Sequence, residues 1–84
     1  MTQKNPDYNL IALRVKEYRI AKHISQATLA ERTDFSVPFI SYIETAKKKA
    51  SLKSLWRIAQ ALDTTVDAFL YNRTNNNDFS EGQG

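Results

Sequence analysis

Three consecutive lysines, Lys47, Lys48 and Lys49, follow closely on a segment, Ser36 to Glu44, whose outward chemistry is two hydroxyls, one phenol and apolar surface. Ammonium groups at that density neutralise a polyanion, and the counterions they displace make such binding weaken steeply with salt. A lysine run on its own is usually a solvated loop. Here it follows a segment that opens on Ser36, one of several serines placed to cap helices. Free N–H groups at helix starts such as those after Ser25 and Ser36 also suit phosphate. Hydrolytic and redox chemistry finds little support. Cysteine is absent and His23 is the single histidine, so neither a thiolate or imidazole metal cluster nor a Ser-His-acid triad can be built. No glycine-rich phosphate loop is present, and no catalytic residue, metal ligand or cofactor site is assigned.

These groups need elements to hold them, and helical signals recur along the chain. Ile11, Val15 and Tyr18 give Leu10 to Lys22 an inner face at helical spacing, with Tyr18 read as core. Ser25 is a good N-cap for a second helix, Gln26 to about Thr33, with Leu29 and Ala30 facing inward. Asp34 stands where the chain must reverse, being one of the few non-glycine residues that tolerate a left-handed conformation. Phe35 plugs the corner, and Ser36 caps a third helix with Pro38 in its first turn, where a missing N–H breaks no helical bond. Ile40 and Ile43 give that helix its inner face. Ser51 caps a fourth helix through Leu62, with Leu52, Leu55, Ile58, Ala59 and Leu62 on one side. Thr65 caps a short fifth helix, Val66 to about Tyr71. Trp56, next to Leu55, is expected to be half-buried or part of a partner contact. No sustained β alternation occurs, so the fold class is all-α with five helices.

The chain has 84 residues, enough for one domain. Residues 1–9 read as a flexible arm, 10–71 as the domain and 72–84 as a disordered polar tail. The net charge is +3, and between Leu10 and Tyr71 ten basic residues face six acidic ones, so the excess sits in the folded part. No apolar run approaches the roughly 18 residues that span a bilayer, and no secretory leader is evident. A cytoplasmic setting is the expected localisation, with no membrane partner and no small-molecule ligand.

Taken in register, these pieces resemble the Cro/C1-type (XRE) helix-turn-helix family of phage repressors and small bacterial regulators. The matching residues are Ser25-Gln26 with Leu29-Ala30-Glu31, Ser36, Ile40-Ser41 with Ile43-Glu44, Ser51-Leu52 with Leu55, Ile58-Ala59, Ala61-Leu62, and Val66-Asp67 ahead of Phe69-Leu70. The resemblance implies a lambda-repressor-like domain in which helices 2 and 3 form the helix-turn-helix. It implies that the helix 36–44 enters the major groove of double-stranded DNA in a transcriptional regulator, expected to be a repressor. It further implies base-reading positions at Val37, Pro38 and Tyr42 with Phe39 and Ser41 alongside, a DNA contact from Gln26, and backbone contacts from Thr45 through Lys49. Arg19 and Glu44 match a pair that forms a partly buried salt bridge in some relatives. The chain departs from the family pattern at Asp34, where glycine is usual, and at Ala46 and Ala50, where glycine and proline are common.

Bidentate reading of guanine needs Arg or Lys, and of adenine Asn or Gln. The helix 36–44 carries none of these, so the expectation is contact with thymine methyls through Val37, Pro38 and Phe39, single hydrogen bonds from Ser41 and Tyr42, and some reading of DNA shape, with Phe39 equally placed to tuck under the helix as core. A homodimer is expected, since paired copies read half-sites about 34 Å apart. Val66, Phe69, Leu70 and Tyr71 are the expected interface. Two other functions remain open: an antitoxin that also autoregulates and holds a partner protein through its tail, and a helical interaction module without DNA binding.

Overall fold

A computed structural model describes residues 7–71. Five helices follow in order: α1 (Tyr8–Ala21), α2 (Gln26–Thr33), α3 (Val37–Glu44), α4 (Leu52–Ala61) and α5 (Val66–Leu70). No strand occurs among the described residues. The expected arm 1–9 is therefore too long: α1 begins at Tyr8, because Asp7 caps it by accepting from the N–H groups of Asn9 and Leu10 at 3.0 and 3.4 Å. The tail 72–84, and with it any partner contact made there, lies outside the described residues.

Every helix start is capped by a side-chain oxygen. Ser25, Ser36, Ser51 and Thr65 accept from the N–H groups of Thr28, Phe39, Ser54 and Ala68. Such caps contribute about 1 kcal/mol each, a large share for so small a domain. The helix exits use another device. His23, Asp34, Ala46 and Asp63 all adopt positive φ, between 59 and 66°. Both glycines of the sequence lie at positions 82 and 84, so the left-handed turns fall to residues carrying a Cβ.

The core is one cluster. Val15, Leu29, Ile40, Ile43, Ile58, Leu62 and Phe69 are all but inaccessible to solvent. α2 packs on α3 and α4, while α1 packs on α3 and α5. Tyr18 meets Phe69 edge-to-face at 5.6 Å between ring centres, a favoured aromatic geometry. Arg14 Nη1 donates to Phe69 O at 3.2 Å, closing α5 onto α1. Leu52 departs from expectation. As the first residue of α4 it projects beyond the packed face and is 70% exposed.

Of the expected dimer set, one residue is corrected. Phe69 is fully buried, and Val66 and Leu70 pack half-buried against the core. Only Tyr71 stands out in solvent. Val66 and Leu70 thus keep part of their apolar surface, while Phe69 has none left to offer a partner. Trp56, 55% exposed on α4, lies beside this corner, in a cleft that it shares with Val66 and Asp67.

Candidate nucleic-acid interface

The α2–turn–α3 unit is set by local chemistry. Asp34 ends α2 at φ 66° and ψ 28°, and the Phe35 N–H donates to Ala30 O at 3.0 Å. That left-handed step reverses the chain within three residues and delivers Ser36 as the next cap. Phe35 and Phe39 meet edge-to-face at 4.8 Å on the inner side of the corner. Phe39 is thus half-buried against the core, as its packing alternative has it. Its ring is needed where α2, α3 and the turn meet.

The outer face of α3 carries Val37 and Tyr42, 42% and 41% exposed, with Pro38 exposed and Ser41 half-buried. These four side chains remain available. The N-terminus of α3 is a poorer anion site than the sequence suggests. Ser36 Oγ accepts from Phe39 N at 3.2 Å, and Pro38 has no N–H, so Val37 is left with the one unclaimed amide of that turn. At α2 the cap Ser25 takes only Thr28 N, and the amides of Gln26 and Ala27 have no partner among the described residues.

A buried carboxylate holds the unit together. Glu44 Oε2 accepts from Arg19 Nε at 2.7 Å and Glu44 Oε1 from Arg19 Nη2 at 3.1 Å, the fork-to-carboxylate geometry of a strong pair. The Arg19 side chain is 12% exposed and that of Glu44 1%. The third guanidinium nitrogen of Arg19 donates to Ile24 O at 2.8 Å. Gln26 Nε2 also donates to Glu44 Oε1, at 3.0 Å. So Gln26, expected to touch DNA directly, spends part of its amide on joining the start of α2 to the end of α3. Sequence reasoning had no means of finding this link, because the two residues stand 18 apart and share no local pattern.

Thr45 is likewise engaged. Its hydroxyl donates to Ser41 O at 2.8 Å, so its proton is held by the end of α3. After Ala46 the chain folds back, and the N–H groups of Lys47 and Lys48 donate to Tyr42 O at 2.8 and 3.3 Å. The three lysines are all exposed but not alike. Lys48 Nζ lies 5.8 Å from the centre of the Tyr42 ring, and Lys49 Nζ lies 5.4 Å from that of Tyr8 on α1. Arg57 covers the Phe35 ring at 4.9 Å and adds a further cation on the turn side. No helix of the described residues is long and apolar enough to cross a membrane.

With this geometry the chain matches the helix-turn-helix family model over residues 15–69, about two-thirds of its length. It belongs to the Cro/C1-type helix-turn-helix family. Solved structures agree. The restriction-modification controller protein C.AhdI from Aeromonas hydrophila is 28% identical, with a TM-score of 0.72 over 75% of this chain and 96% of that one. SinR, a master regulator for biofilm formation whose structure is a complex with DNA, is 31% identical, with a TM-score of 0.69 over 73% of this chain and 98% of that one. The iron(II) protein HppE is 23% identical with a TM-score of 0.71 over 77% of this chain, which spans 38% of HppE and shares its fold. A comparison with curated protein sequences gave no match.

Proposed function

We propose that this protein is a sequence-specific DNA-binding transcriptional regulator that places α3 in the major groove. The observation that carries this reading is the outer face of α3, with Val37, Pro38, Ser41 and Tyr42 available, set directly beside the lysine loop 47–49 within a family-matched helix-turn-helix. Apolar Val37 and Pro38 suit thymine methyls, and the hydroxyls of Ser41 and Tyr42 suit single base-edge acceptors. The lysines, together with the free amides at the start of α2, supply phosphate contacts. Similarity to SinR, solved with DNA, and to a restriction-modification controller supports the regulator reading.

Repression follows physically if a bound copy occupies a promoter that polymerase needs. A homodimer suits this role, because one recognition helix reads only a few base pairs. The pairing surface moves away from Phe69 to the exposed Trp56 and Tyr71 that flank α5. Binding without catalysis, in a cytoplasmic compartment where the chromosome is reachable, completes the reading.

Gel shift on random-sequence duplex at about 50 and 200 mM salt tests it, since several phosphate contacts make affinity fall by orders of magnitude over that range. Absence of any shift at the lower salt overturns the reading. Sedimentation at micromolar concentration tests the homodimer, and a strict monomer that binds one half-site removes that part alone.

A further inference from the structure

We propose that Lys48 reads guanine, carried onto the base-reading surface of α3 by the Tyr42 ring. The inference rests on the DNA-binding reading and names the side chain that supplies what α3 lacks. Guanine presents two acceptors, O6 and N7, in the major groove, and Arg or Lys is the side chain that satisfies both. Between Val37 and Glu44 there is neither.

The backbone brings one in from outside the helix. The chain leaves α3 at Thr45, turns left-handed at Ala46 with φ 61°, and returns so that two successive lysine amides donate to Tyr42 O. This return sets the Lys48 ammonium 5.8 Å from the Tyr42 ring centre, within the range of a cation–π contact. Tyr42 is itself on the exposed face, so the lysine lies over a side chain already aimed outward. An ammonium resting on a ring face still has N–H donors directed away from the ring, and guanine's two acceptors need only two. A flexible four-carbon chain is thereby pre-positioned, which lowers the entropy lost when it meets a base.

The neighbouring lysines are placed for other work. Lys49 rests over Tyr8, at the start of α1, and not over a ring of α3. Lys47 has no aromatic partner among the described residues. Three adjacent residues of one type therefore divide into a base reader and two phosphate contacts. The division comes from which ring each can reach.

Selection from a DNA duplex library with a randomised central segment, using the full chain, tests this. The wild-type protein is expected to enrich a G·C pair at one position of each half-site. Lys48→Ala is expected to lose about tenfold preference at that pair and keep the others. Tyr42→Leu should lose the same position, the double variant should lose no more, and Tyr42→Phe should keep it. Lys47→Ala should weaken all sequences alike and lower the salt slope by about 0.9. Both side chains are exposed, and matching melting curves will confirm that the variants fold. A uniform loss with Lys48→Ala and an unchanged consensus would make Lys48 a phosphate contact and overturn the inference, as would a consensus lacking guanine. A wild-type protein that enriches nothing also overturns it. One that gives no shift even at low salt overturns the DNA-binding reading beneath it.

Discussion

Gln26 and Glu44 share a hydrogen bond of 3.0 Å, so the first residue of α2 and the last of α3 meet on one buried carboxylate. Arg19 reaches the same carboxylate from α1 through two nitrogens. Three helices are tied at one point. The tie fixes the angle at which α3 leaves the turn, and hence which of its side chains meet a groove.

Glu44→Ala is expected to cost about 3–5 kcal/mol, because it strands the Arg19 guanidinium with little access to water. That loss is comparable with the whole stability of many small domains. Urea denaturation measures it directly. A change below about 1 kcal/mol would show that the pair contributes little to holding the helices.

Gln26→Glu replaces a donor to the carboxylate by a second carboxylate. Like charges at hydrogen-bonding distance oppose one another, so stability falls and DNA affinity falls with it. Gln26→Ala, which removes the donor without adding a charge, should cost only about 1 kcal/mol. A loss from Gln26→Glu no larger than that from Gln26→Ala would place residue 26 outside the tie.

Ala46→Gly should raise stability by up to about 1 kcal/mol. A left-handed residue with a Cβ is penalised by about 1–2 kcal/mol, and glycine returns some of this through its freer unfolded chain. Thermal melting decides the sign, and a lower midpoint would contradict the argument.

Phe39→Ala and Val37→Ser separate packing from recognition on the same helix. Losing the half-buried Phe39 ring against Phe35 is expected to cost about 3 kcal/mol, the lower end for such truncations. The exposed Val37 should melt within about 0.5 kcal/mol of wild type, yet shift the preferred base at one position. Equal melting losses for the two would show that they share one environment.

Much of the fold was legible in the residues because helix caps are local. Ser25, Ser36, Ser51 and Thr65 each bond an amide three residues on, and a reader of sequence sees that spacing. Asp34 was legible for the same reason, since few residues accept its φ. Asp7 was missed because it sits in a polar stretch after Pro6 that reads as loop. The site was less legible. Whether Gln26 or Thr45 has a free donor depends on where another segment lies, as does the partner of each lysine. Burial of Phe69 is likewise a tertiary fact, because a short helix pattern cannot say which of its apolar residues meets the core.

The contact between Arg14 and Phe69 spans 55 residues, and Phe69 also fills the centre of the core against Tyr18. A growing chain leaves the ribosome at about 5–20 residues per second, N-terminus first. The helix-turn-helix emerges early in that sequence, but without Phe69 its core holds a gap the size of a phenyl ring. Truncating such a ring costs about 3–5 kcal/mol. The unit therefore has to wait, unfolded or loosely collapsed, until α5 has been made. A nascent chain stalled between Lys49 and Phe69 carries every residue of the proposed DNA interface without the ring that completes the core beneath it.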